Sequence, residues 1–139
     1  MAPTRRDVMR LGGLAAAAAL LPAGAAADSN GVAGAIAAFT KGARALEAGV
    51  SLDVPEIADN GGAVPVRVAA AGARRIALFA DANPNPGVAV FSFGRLTPPA
   101  AAIRIRLARS QNVIAVAEMA DGTFRKASRQ VAVTVGGCG

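Results

Sequence analysis

The chain has no histidine, no tryptophan and no tyrosine. Without histidine it lacks the side chain that most often serves as general base near neutral pH. A Cys-His nucleophilic pair is excluded, as are most zinc and copper sites and a haem attachment motif. Aromatic residues are five phenylalanines. With so few, and with none interleaved among the arginines, a stacking platform for nucleic acid is not built, and no nucleic-acid partner is expected. One cysteine is present, which cannot form an internal disulfide. No Walker or Rossmann fingerprint occurs. Carboxylates come nearest one another at Asp53, Glu56 and Asp59, and read as charges on a proline-containing loop. The residue set points away from a self-sufficient enzyme, with no metal and no cofactor of its own expected.

What is present begins with Thr4-Arg5-Arg6-Asp7-Val8-Met9-Arg10, followed by an alanine-rich apolar run from Leu11 to Leu21 and by Ala25-Ala26-Ala27. A charged start, an apolar middle and a small-residue end are the three parts of an export signal. The pair Arg5 and Arg6 favours the twin-arginine route and a periplasmic destination. The apolar run is shorter than the roughly 20 residues a membrane span needs, so no membrane association is expected. Val8 stands where that pattern more often has Phe. The expected organisation is an export signal over 1–27, a helical segment over 28–48, a β-sandwich over 49–135 and an arm over 136–139. The formal net charge is +6. The signal carries +2 of it (Arg5, Arg6 and Arg10 against Asp7), leaving a modest +4 on one domain of ordinary size. Arg67, Arg74, Arg75, Arg104, Arg106 and Arg109 recur mid-chain. They read as a solvated basic face, or as a surface that meets an acidic partner or an anionic substrate.

Val32, Ile36 and Phe39 recur near helical spacing and predict a helix from Asn30 to about Thr40, capped by Ser29 or Asn30. The period then changes to two. Val50, Leu52 and Val54 alternate with polar residues, and Pro55 ends the run. Asp59-Asn60-Gly61-Gly62 is a turn signal. Val64, Val66 and Val68 predict a strand whose Pro65 suggests an edge or a strand start. Further strands are expected at Arg75–Phe79, at Val88–Phe93 as a central strand, at Ile103–Leu107, at Val113–Met119, and at Arg129–Val135 after the hairpin signal Asp121-Gly122. About seven short strands with turns every 8–12 residues describe an all-β, immunoglobulin-like β-sandwich. A short N-terminal helix and a flexible C-terminal arm complete it.

That arm carries the chemistry. Cys138 is the second residue from the end, in Val135-Gly136-Gly137-Cys138-Gly139. Gly136, Gly137 and Gly139 remove side-chain bulk and widen the allowed backbone angles. An extended four-residue arm reaches about 13 Å beyond the last strand. A thiol is only a few per cent thiolate at pH 7, and the thiolate is the nucleophile. No neighbour in sequence activates Cys138, so activation falls to an enzyme that binds the tip. A compact domain, a thin arm and one reactive atom are what a covalent carrier needs. A second reading stays open: an exported immunoglobulin-like binding module whose terminal cysteine makes only an intermolecular disulfide.

Residues Val133–Gly139 resemble the C-terminal arm of SoxY, the sulfur-carrying subunit of the bacterial thiosulfate-oxidising Sox system. Val54-Pro55-Glu56-Ile57-Ala58-Asp59-Asn60-Gly61 with Val64-Pro65-Val66 is similar to that family's PEIAENG…VPV segment. Ile114–Met119 with Asp121-Gly122 is similar to its AIAEMSDG hairpin, and Arg104–Ala108 to its TRIRLA. The family arm usually has two glycines after the cysteine where this sequence has Gly139 alone. The resemblance implies a heterodimer with a SoxZ-like subunit and sulfur intermediates held covalently on Cys138. It also implies service by SoxAX-like and SoxB-like enzymes and, in some systems, by a sulfane dehydrogenase.

Overall fold

The computed structural model describes residues 31–134. Arg5, Arg6, the cleavage segment, Ser29 and Asn30 lie outside these residues, as does the arm from Val135 to Gly139. Among the described residues one helix, α1 (Val32–Thr40), precedes nine strands: β1 (Ala45–Leu46), β2 (Ser51–Asp53), β3 (Ile57–Ala58), β4 (Val64–Ala69), β5 (Ala73–Ala80), β6 (Gly87–Ser92), β7 (Ala100–Ile105), β8 (Gln111–Met119) and β9 (Phe124–Val133).

The strands form a β-sandwich, as the alternation and turn spacing require. The larger sheet runs β1-β9-β8-β5-β6, and β3 also pairs with β9. The smaller sheet runs β2-β4-β7. Both sheets send alternate side chains into one core. Val64, Val66 and Val68 of β4 meet Ile76 and Leu78 of β5 and Val113, Ala115 and Ala117 of β8, all essentially sealed from solvent. Pro65 and Arg67 point outward, as period-two alternation dictates. Pro65 is tolerated because β2 pairs only with Arg67–Ala69. On that flank of β4 no ladder reaches the position that lacks an N–H.

The outer face of the larger sheet is covered at β5, β8 and β9 by α1. Val32, Ile36 and Phe39 pack onto Ala77, Phe79, Val116 and Phe124. Phe39 meets Phe79 and Phe124 edge to face, with ring centroids 6.3 and 6.0 Å apart. The Arg75 guanidinium lies 4.8 Å over the Phe39 ring and pairs with Glu118. Because α1 covers this face, β8 is buried on both sides, which accounts for its unbroken apolar run.

Three expectations are corrected. Gly31 occupies the N-cap of α1, with no side-chain cap. Val88–Phe93 is not central: β6 ends the sheet, and Val90 is 58% exposed. Its apolar composition reflects an inward row plus one uncovered position. The last strand begins at Phe124 rather than Arg129. Its polar first half, with Arg125, Lys126 and Ser128, is legible only once its pairing to β8 is known.

Candidate functional site

Thr134 is the last described residue, and Cys138 lies four residues beyond it. The neighbourhood of Thr134 is therefore the last part of the structure before the cysteine segment. Hydrogen bonds hold the chain from both flanks there. On one side β3 runs parallel to β9, with Ile57 opposite Ala132 and Ala58 opposite Val133. The Ala132 N–H donates to the Glu56 carbonyl at 2.8 Å, and the Thr134 N–H to the Ala58 carbonyl at 3.1 Å. On the other side the Val133 N–H donates to Ser110 Oγ at 2.8 Å. The Ser110 hydroxyl reaches back to the Val133 carbonyl at 3.4 Å. Paired main-chain groups on both flanks keep this segment from fraying as a strand end otherwise does.

The turn Asp59–Ala63 follows β3 and forms one wall. The Gly62 N–H donates to Asn60 Oδ1 at 2.9 Å, an Asx-type turn. Gly61 accepts from the Leu107 N–H at 2.7 Å. The opposite wall is the segment Arg106–Ser110, braced by the two-proline loop Asp81–Gly87. Asn83 Nδ2 donates to the Arg106 carbonyl at 2.7 Å, and Asn83 Oδ1 accepts from the Ala108 N–H at 2.9 Å. The buried Gln111 donates through Nε2 to Asn83 Oδ1 and to the Arg109 carbonyl, while its Oε1 accepts from the Ala82 N–H. Asp81 takes both the backbone and the side-chain amide of Asn112. With its partners satisfied, this network, centred on the buried Gln111, holds the wall in one arrangement.

Between the walls lies an open groove of about 720 Å³, lined by Asp59, Asn60, Arg106, Arg109, Ser110 and Thr134 among others. Its charged groups are two arginines and one aspartate. Asp53, Glu56 and Asp59 do not gather: Asp53 stands on β2 opposite Arg67, and Glu56 and Asp59 flank β3 as exposed residues. Among the described residues there is no cluster of three or more metal-ligating side chains, and no helix is long and apolar enough to cross a membrane.

Cys138, Gly136, Gly137 and Gly139 lie outside the described residues, and the structure fixes the anchor from which they extend. Sequence reasoning missed Ser110, Asn83 and Gln111. Their partners are mainly backbone groups brought near by the fold, so no spacing announces them. A glutamine buried between arginine-rich and apolar segments was the one signal on offer.

The family described as "Sulfur oxidation protein SoxY" matches residues 36–138. The fold is similar to that of the sulfur carrier protein SoxY from Chlorobium limicola f thiosulfatophilum. The two share 35% sequence identity and a TM-score of 0.64, over 77% of this chain and 99% of that one. A superoxide reductase (neelaredoxin) from Ignicoccus hospitalis aligns at 18% identity and a TM-score of 0.56, over 70% of this chain and 86% of that one. A putative superoxide reductase from Thermotoga maritima aligns at 18% identity and a TM-score of 0.55, covering 69% and 90%. These two share the fold alone. No curated protein sequence matches the chain.

Proposed function

The chain belongs to the SoxY family of sulfur oxidation proteins, and from that membership we propose that Cys138 is the atom-bearing end of a periplasmic sulfur carrier, exported by the twin-arginine route through Arg5 and Arg6. The observation that carries this reading is that the family match runs to residue 138 and takes in the cysteine. The anchoring of Thr134 supports it: four residues span at most about 14 Å, so the thiol stays tethered to a point held on both flanks.

The cycle balances with the cysteine as attachment point. The Cys138 thiolate joins the outer sulfur of thiosulfate, forming an S–S bond and giving up two electrons to a haem-containing SoxAX-like enzyme. The product is Cys–S–S–SO3⁻. Water then attacks the sulfonate sulfur in a SoxB-like hydrolase. Sulfate and two protons leave, and a persulfide, Cys–S–S⁻, remains. Where a sulfane dehydrogenase is present, three waters and the loss of six electrons and six protons convert the persulfide to Cys–S–SO3⁻. A second hydrolysis releases sulfate and restores the thiolate. Gly136, Gly137 and Gly139 let the tip pass through a narrow cleft. The subunit works as a heterodimer with a SoxZ-like partner and supplies no cofactor of its own.

Replacing Gly136 and Gly137 together by leucine tests passage through a cleft. Partner-catalysed loading is expected to slow at least tenfold while alkylation of Cys138 by a small reagent is unchanged. Equal slowing of both reactions would count against the arm. An intermolecular disulfide dimer that never takes up sulfur would favour the binding-module reading instead.

A further inference from the structure

We propose that the outer face of the three-stranded sheet, from Arg67 through Arg104 and Arg106 to Arg109, is the docking face for an acidic protein surface surrounding the cleft of an enzyme that takes the arm. The inference rests on the carrier reading above and adds where, and with what charge, the enzyme approaches.

Alternation along β4 and β7 puts Arg67 and Arg104 on one face, with Val66, Val68 and Ile105 buried behind them. Arg67 faces Ala102 and Arg104 faces Pro65 in register, so the two arginines are diagonal neighbours. Arg106 continues the row past the strand end, exposed between the buried Ile105 and Leu107. It shares the groove beside Thr134 with Arg109. Neither ion pair among the described residues uses any of the four; those pairs are Arg75–Glu118 and Lys126–Glu47. The opposing carboxylates are Asp53, in register with Arg67, and Asp59 on the groove wall. The row stays net positive, and is most so at Arg104 and Arg106.

The surface beside the row is floored by short side chains, Ser51, Ala69, Ala100 and Ala102, and is open. Long cations standing beside a low floor suit a broad opposing surface better than a small anion, which wants converging donors. Tether length then fixes who must touch this face. The Cys138 backbone cannot lie more than about 14 Å from that of Thr134. An enzyme that holds its sulfur inside a cleft must bring the cleft rim against the groove, and hence against Arg106 and Arg109. Positive charge on one rim favours negative charge on the other, raising the rate of productive encounter more than the lifetime of the complex.

The test uses the full chain with its SoxZ-like subunit and compares wild type with Arg104→Glu/Arg106→Glu. Arg44→Glu, on the loop after α1, serves as a charge control. Thiosulfate coupling by the SoxAX-like enzyme and sulfate release by the SoxB-like enzyme are followed from about 20 mM to 500 mM salt. The double variant is expected to lose about tenfold or more in kcat/KM for the carrier at low salt with at least one of the two enzymes. The gap should close as salt rises, with Arg44→Glu close to wild type and the thermal midpoint preserved. Rates matching wild type at every salt concentration would overturn the docking face while leaving the carrier reading intact. A change in KM for thiosulfate rather than for the carrier would assign the arginines to the free anion instead. Loss of the SoxZ-like subunit on purification would make the face a subunit interface. Absence of any adduct on wild-type Cys138 would instead defeat the carrier reading itself.

Discussion

Gly61 and Leu107 approach so closely that a β-carbon on Gly61 would stand 2.7 Å from the Leu107 carbonyl oxygen and 2.9 Å from Val133 Cγ1. Here the turn after β3, the segment after β7 and the last strand meet with no space for a side chain. A glycine in the sequence motif Asp59-Asn60-Gly61-Gly62 thus lets the turn pack against the end of β9.

Gly61→Ala is expected to destabilise the fold by about 1–3 kcal/mol, the usual range for overpacking against backbone. Replacing a glycine where there is room has the opposite sign, a gain of about 0.4–1 kcal/mol from the stiffer unfolded chain. Urea unfolding reads the difference directly. A variant more stable than wild type would refute the contact.

Gln111→Ala removes the donor to Asn83 Oδ1 and the Arg109 carbonyl, and the acceptor for the Ala82 N–H. Leaving such groups unpaired costs up to about 1–3 kcal/mol where they are shut off from water, and these bonds are part-buried. The local effect should be clearer than the global one. Amide exchange at Ala108 and Val133 should quicken while that at Ile76 and Leu78 keeps pace with global unfolding. Uniform quickening across all four would mean that the brace does not act on the groove wall specifically.

Phe39→Ala takes away the ring that joins α1 to Phe79 and Phe124. Because Phe39 is half-buried, a loss of about 2–3 kcal/mol is expected, at or below the low end for buried aromatic truncation. Helical signal should fall with it, since a nine-residue helix is not stable without its packing. Retained helicity at unchanged stability would contradict the role given to this cluster.

Asp121 titrates below the ordinary aspartate range, chiefly because its Oδ1 accepts from the Thr123 hydroxyl and then from the Thr123 N–H. A carboxyl whose folded pKa is depressed adds stability above its unfolded pKa, near 3.9. That contribution fades as pH falls through the lower folded value. The β8–β9 turn should therefore loosen only in strong acid. A carboxyl-detected NMR titration should place Asp121 below free aspartate, and Thr123→Val should move it back up. No upward movement in that variant would remove the hydroxyl as cause.

Much of the sandwich was legible in the sequence because period-two alternation is a local property. Val64-Pro65-Val66-Arg67-Val68 declares both faces of β4 without reference to any neighbour. What a strand lies beside is not local. Val88–Phe93 reads from its composition as a central strand, and only the sheet order, with no strand beyond β6 among the described residues, places it at the edge. The two-residue strands β1 and β3 exist solely because β9 passes by them in parallel, which composition cannot announce. The site divides along the same line. Cys138 stands out by chain position and glycine neighbours, whereas Ser110, Asn83 and Gln111 matter through the backbone groups they reach.

The central claim is that sulfur travels on Cys138, and intact mass after turnover tests it most directly. Wild-type protein purified from thiosulfate-oxidising cells should carry additions of about 32 Da for one sulfur or about 112 Da for thiosulfate, removed by a thiol reductant. Cys138→Ser should carry neither while keeping the wild-type thermal midpoint. Reductant-labile additions persisting in that variant, or none in wild type under active oxidation, would contradict the account.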